Sequence, residues 1–162
     1  MSDVRITAAT GDDADRLTAL IHASAAYSGD YASIIDGYRV TADYIGRHRV
    51  FTARDPAGRL VGFYALVLDP PELDLAFVAD DAQGLGVGRR LIEHMIGEAR
   101  DAGLPEVRVV SHPPAEHFYR RLGAEPAGTV PPNPPKIPWP RPDLKFPIPR
   151  TAKPSPSTRP AS

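Results

Sequence analysis

The sequence predicts a mixed α/β domain, a central sheet flanked by helices, on three observations. β-rich runs alternate along the chain with stretches whose apolar residues recur at helical spacing. Two of those runs, residues 50–53 and 60–68, are separated by Arg-Asp-Pro-Ala-Gly-Arg, where Asp-Pro and Gly mark a tight turn, so together they form a hairpin. A third run, Glu-Leu-Asp-Leu-Ala-Phe-Val at residues 72–78, feeds directly into a loop with glycine at alternate positions, Gly84, Gly86 and Gly88, and from there into a long helical pattern.

Taken in order, residues 4–8 alternate as a short strand. The acidic stretch 11–15 supplies helix caps before Leu17, Leu20, Ile21 and Ser24 recur at helical spacing. Residues 27–47 hold Tyr27, Tyr31, Tyr38 and Tyr44, four of the six tyrosines, over a second, broken helical region. The hairpin and the third strand follow, interrupted by Pro70 and Pro71. After the glycine loop, Leu91, Ile92, Met95, Ile96 and Ala99 make one apolar helix face that ends near Gly103. Residues 107–110 form another strand, and Pro113 and Pro114 open a short helix closed by Gly123.

Twelve of the nineteen prolines lie in residues 131–162, so the regular pattern weakens there. Residues 143–148 read as a strand with Pro147, which cannot donate to a ladder, at its end. The expected organisation is one domain over residues 1–148 and a proline- and serine-rich disordered tail over 149–162.

Composition narrows the function. A chain of 162 residues suits a single core. Nineteen basic and twenty acidic side chains give a net charge of -1, without the one-sided field that draws a protein to nucleic acid. A small-molecule substrate is therefore expected, with no nucleic acid. The absence of cysteine excludes disulfides, thiolate metal sites and a cysteine nucleophile, and fits a reducing compartment. The amino-terminal residues lack the build of a signal peptide and no stretch reaches the ~20 apolar residues of a membrane span, so a cytoplasmic protein with no membrane partner is expected.

Alternating glycines let a backbone turn tightly and approach a ligand, and a helix that starts immediately afterward adds free N–H groups and a positive dipole end. Strand, glycine loop and helix together form a phosphate cradle, with Arg89 and Arg90 adding charge. A P-loop would need Gly-Lys-Ser/Thr where the chain has Gly88-Arg89-Arg90, and a dinucleotide fingerprint fails because position 89 is Arg rather than Gly. What remains is Gln-x-x-Gly-x-Gly at Gln83, Gly86 and Gly88. No HExxH or cysteine set supports zinc, and Ser111 lies in no nucleophile elbow.

On that loop the chain resembles the GCN5-related N-acetyltransferase (GNAT) family, whose acetyl-CoA loop has a Gln/Arg-x-x-Gly-x-Gly/Ala pattern between a central strand and a long helix. A second stretch, residues 107–124, is similar to the family's next strand and helix, with Phe118-Tyr119 and Leu122-Gly123 at the usual separation. The element order matches over about residues 4–148, most closely over 72–124. The resemblance implies a mostly antiparallel sheet, acetyl-CoA as co-substrate, no metal, and direct transfer of the acetyl group to a primary amine of a small molecule or peptide.

A transferase of that kind needs a base, since an amine at neutral pH is mostly ammonium. Glu72 and Asp74 are two apart on a strand and share a face, and burial beside each other raises at least one pKa. Some lysine acetyltransferases of the family carry a glutamate base eleven residues before the loop's Gln, which falls on Glu72, either that base or a solvated carboxylate at the strand start; Asp74 is the alternative base and a substrate-binding candidate. Tyr119 occupies the position of the family's general acid.

Phe77 and Val78 match the strand whose backbone contacts the thioester carbonyl and the pantetheine arm, while Gln83, Gly84, Gly86, Val87, Gly88 and Arg89 match the pyrophosphate loop. His112 stands where relatives commonly carry Asn or Asp, either bonding the cofactor or sitting at the surface. Tyr27 and Tyr31, with Tyr38, Tyr44 and the aspartates among them, line an acceptor pocket through cation-π and ionic contacts, or else pack an aromatic face on the sheet. The segment 131–142, with Trp139, forms another wall of that pocket or displaces the last two strands of the family pattern. A different acyl group or acceptor, and a non-catalytic CoA-binding or interaction module, stay open, as does a monomer against a homodimer.

Overall fold

The computed structural model describes residues 4–24, 35, 37–135 and 137–149. The expected tail therefore lies outside the described residues apart from Pro149, as do Tyr27 and Tyr31. β1 (Arg5–Ala8) leads into a 3-10 turn, Gly11–Asp13, and α1 (Ala14–His22). Thr10 and Asp13 form a capping box, with the Thr10 N–H donating to Asp13 Oδ2 at 2.9 Å, so the acidic stretch caps this start as expected. α2 (Ala42–Arg47) begins at Thr41, whose hydroxyl accepts from the Tyr44 N–H.

β2 (Arg49–Arg54) and β3 (Leu60–Leu68) are the predicted hairpin, and β4 (Pro71–Val78) follows. α3 (Val87–Asp101), β5 (Glu106–Val110), α4 (Glu116–Arg121), β6 (Glu125–Val130) and β7 (Arg141–Pro147) complete the order. Among the described residues the strands form one sheet, ordered β1-β2-β3-β4-β5-β7-β6. All neighbours run antiparallel except β4 and β5.

β3 is apolar at nearly every position because both its faces are covered. Tyr64 and Leu66 pack with Leu91, Ile92, Met95 and Ala99 of α3. Phe63 and Ala65 pack with Leu17 and Ile21 of α1 and Ile45 of α2. Gly62 sits where β3 meets α3: a Cβ there would come within 2.9 Å of the Phe77 carbonyl oxygen and 3.1 Å of Leu91, so only glycine lets the helix settle.

One irregularity in β4 decides what its side chains face. Leu66 opposes Leu73 and Ala65 opposes Leu75, so Asp74 is an extra residue, a β-bulge. Regular alternation would put Leu73, Leu75 and Phe77 on one face. The bulge instead leaves Leu73 in the α3 core and turns Leu75 and Phe77 to the α1 core.

Segment 131–142 does not displace the last strands. β7 ends at Pro147, as the missing N–H requires, and pairs with both β5 and β6. β6, Glu-Pro-Ala-Gly-Thr-Val, carries no apolar alternation and is a strand because it lies at the sheet edge, where Pro126 is tolerated and a register shift between Pro126 and Gly128 absorbs the misfit.

On the α3 side, fully buried Tyr64 shares a 2.8 Å hydrogen bond between its hydroxyl and His94 Nδ1, and the imidazole lies 4.6 Å from the Phe51 ring. Burial holds His94 below the ordinary imidazole value; Glu98 opposes that and Arg90 adds to it. The unfolded chain therefore takes up this proton first as pH falls through about 6.5. Between pH 7.5 and 5.5 the wild type should lose about 2 °C more in Tm than His94→Gln, read by thermal unfolding at the two pH values. Equal losses would show that burial does not hold the His94 imidazole below its ordinary value.

Candidate active site

β4 and β5 are in register at a single pair, Glu72 opposite Arg108, and beyond it they diverge. The gap opens into a cleft of about 740 Å³ that passes through the sheet. Its walls include Leu91, Ile92, Phe118 and Tyr119 on the α3 face and Ile21, Ile35 and Tyr38 on the α1 face. The backbone edge of β4 after Glu72 faces this gap instead of a neighbouring strand.

At one end lies the glycine loop. Gly84 and Gly86 take φ of 80° and 82°, a left-handed conformation that strains any residue with a Cβ. Gly86 is the N-cap of α3, and the first helical bond runs from the Arg90 N–H to the Gly86 carbonyl at 3.1 Å. Helix geometry leaves the N–H groups of Val87, Gly88 and Arg89 without helical acceptors, as a cradle for an anion requires. The Gln83 side-chain amide donates to the Val78 carbonyl at 3.1 Å, tying the loop to the end of β4.

Gly88 is matched to Phe118, since a Cβ there would lie 3.0 Å from the ring. Arg89 departs from expectation: its guanidinium donates to Glu93 at 3.0 Å along the exposed helix face and does not line the cleft. The i,i+4 spacing on a helix explains this, because Arg89 and Glu93 are neighbours pointing away from the sheet.

Glu72 stands where the strands part. Burial, and then the Asp74 carboxylate, push its pKa above the ordinary carboxylate value; Asp143 adds to the rise, while Arg108 and Arg141 oppose it. Asp74, at the bulge, accepts a short hydrogen bond from the Tyr44 hydroxyl. Burial, followed by that carboxylate, raises the pKa of Tyr44, and burial with Asp74 raises Tyr38. Tyr38 is pinned near the cleft by its carbonyl, 2.7 Å from His22 Nε2, and by the Val40 N–H, which donates to Thr18 Oγ1 at 2.9 Å.

Across the gap, Tyr119 is 8% exposed and held between Phe118 and Phe146, at ring separations of 5.3 and 6.3 Å. His112 is buried, and its carbonyl accepts from Ser111 Oγ and the Ala115 N–H, both at 2.8 Å. Glu72, Asp74, Phe77, Val78, Gln83, Gly84, Gly86, Val87, Gly88, His112 and Tyr119 thus border one cleft.

Sequence reasoning passed over Arg141, which also lines it. Its signal was the alternation of β7: Leu144 and Phe146 are buried on the α3 face, so Arg141 and Asp143 belong to the other. Among the described residues no group of three or more His, Asp or Glu side chains is placed to hold a metal ion, and no helix is long and apolar enough to cross a membrane.

Known proteins share this fold. A relative, the 5-NmdU N-acetyltransferase of Pseudomonas phage PaMx11, is 39% identical over 75 residues, which are 44% of this chain and 54% of that protein. The chain thus spans about half the length of that curated relative. A GCN5-related N-acetyltransferase from Rhodopseudomonas palustris superposes with a TM-score of 0.72 at 22% identity, over 91% of this chain and 96% of that one. The ribosomal-protein-S18-alanine N-acetyltransferase of Escherichia coli gives 0.67 at 20% identity, over 90% and 94%. Both show the shared fold. The acetyltransferase (GNAT) domain profile matches residues 32–129, more than half of the sequence, and the chain accordingly belongs to the GNAT family.

Proposed function

We propose that the protein transfers the acetyl group of acetyl-CoA to a primary amine, with Glu72 as base and Tyr119 as acid. The observation that carries this reading is the cleft itself, which brings a carboxylate of raised pKa and a buried tyrosine to opposite sides of one break in the sheet. The donor fits its chemistry at both ends. The amides of Val87, Gly88 and Arg89 suit a diphosphate, Arg89 contributing its backbone rather than its guanidinium. The open edge of β4 at Phe77 and Val78 suits an extended arm with amide groups, paired as an added strand. The bound thioester supplies the activated acetyl carbonyl.

Transfer forms a C–N bond and breaks the C–S bond. Glu72 receives the proton that nitrogen gives up, directly or through one water. Tyr119 gives a proton to the departing sulfur, a suitable donor because phenol and thiol reference values, ~10 and ~8.5, are close. A backbone N–H of Phe77 or Val78 serves the carbonyl oxygen as charge develops. His112 lies in the same wall and serves the cofactor. The acceptor's ammonium enters from the face of Asp74 and Tyr38, which supply charge and an aromatic ring.

Thiol release from acetyl-CoA, measured against a panel of amines beside calorimetry with CoA, ATP and NAD, tests the assignment. Heat with CoA and amine-dependent thiol release are expected. ATP or NAD binding without CoA binding would overturn it. Gly88→Ala, which drives a methyl group into the Phe118 ring at the first turn of α3, should weaken CoA binding at least about tenfold, ~1.4 kcal/mol. Phe118 is only half-buried, so its ring can give way and the melting temperature should change little.

A further inference from the structure

The acceptor side of the cleft carries a positive charge as well as two negative ones. On β5, Val107 and Val109 are buried in the α3 core, so Arg108 lies on the opposite face; on β7, Leu144 and Phe146 do the same for Arg141, Asp143 and Lys145. These charges form the floor of that face beside Glu72. Two of the three cations are engaged within it. Arg108 makes a two-pronged bond to Asp143, at 2.9 and 3.1 Å, and Lys145 lies 3.6 Å from Glu106.

Arg141 differs from both. Among the described residues it makes no ion pair, and its Nε is shielded from solvent without a hydrogen-bond partner. It borders the cleft together with Glu72 and Asp74. A shielded guanidinium N–H costs free energy until something accepts from it, and a planar fork of donors is matched best by a carboxylate or phosphate. The donor's diphosphate does not reach it by the route above, because the amides of α3 lie on the other face of the sheet from Arg141. Asp74 is already positioned for the opposite task, one of its oxygens being held by the Tyr44 hydroxyl.

We propose that Arg141 anchors an anionic group of the acceptor, so that the enzyme acts on amines bearing a carboxylate or phosphate, with nitrogen at Glu72 and Asp74 and the anion on the Arg141 guanidinium. This rests on the amine-acetylation reading above and adds the substrate class to it. Asp74 is a binding group here, and Tyr44 a positioning residue that fixes its carboxylate.

Three amines of equal chain length decide the matter: an ω-amino carboxylate, the corresponding aminoalkyl phosphate, and the neutral ω-amino amide. Thiol release from acetyl-CoA by the wild type should show kcat/KM at least tenfold higher for one of the anionic amines than for the amide, expressed in KM. Which anion wins distinguishes the carboxylate source from the phosphate source. Arg141→Gln should bring the three within about threefold of one another, and Arg141→Lys should restore part of the preference.

An amide used as well as both anionic amines by the wild type would overturn the proposal, whether or not the variants fold. So would a preference that survives in Arg141→Gln. Should no amine release thiol, the acetylation reading fails by itself. Calorimetric titration of the same three ligands into CoA-saturated protein then decides the anchor, equal affinity for acid, phosphate and amide overturning it.

Discussion

Glu72→Gln should lower kcat about 10²- to 10³-fold at pH 7, the range expected when a positioned base is removed. The same substitution should raise the melting temperature. Both follow from one environment: burial and the neighbouring Asp74 carboxylate make the ionised form of Glu72 costly. Between the ordinary value of 4.5 and the raised one, the folded chain holds a proton that the unfolded chain has lost, so stability falls as pH rises through that window. The ionised carboxylate is the form that works as a base. The wild type should therefore gain kcat/KM through the window in which it loses stability, and Glu72→Gln should show neither slope. A pH series of thiol release beside thermal unfolding measures both. If Asp74→Asn abolishes the slope while Glu72→Gln keeps it, the base is Asp74.

Tyr119→Phe should lower kcat about 10²-fold while leaving the Kd for CoA within about twofold. The ring is retained, and with it the edge contacts to Phe118 and Phe146, so folding should change little. What is lost is one hydroxyl at the cleft wall. Single-turnover kinetics separate the chemical step from binding, and an equal loss in rate and affinity would make Tyr119 a binding group.

The strands that bury both faces and the helix with an uninterrupted apolar stripe were legible in the sequence, because periodicity reports burial directly. So was the loop, because alternating glycines between a strand and a helix have few other uses. The bulge at Asp74 was not, since an extra residue leaves no mark on composition, and yet it divides Leu73 from Leu75 and Phe77 between two cores. β6 escaped for the opposite reason: its pairing with β7 makes it a strand, and nothing in Glu-Pro-Ala-Gly-Thr-Val asks to be one. Arg89 looked like a cationic neighbour for a phosphate until its i,i+4 partner took it. Arg141 went unread because the strand signal was followed only from Asp143, and its significance comes from the start of β7, which brings it to the cleft beside Glu72.

One rung joins β4 to β5. The four strands before that point and the three after it therefore meet at a seam, covered on one side by the core that α3 shares with β5 and β7. A long flexible arm threaded through the seam would act as a splint, lending the backbone partners that the diverging strands withhold from each other. In the proposed reaction, loading and unloading of the donor would then be felt as stiffening and loosening of that seam.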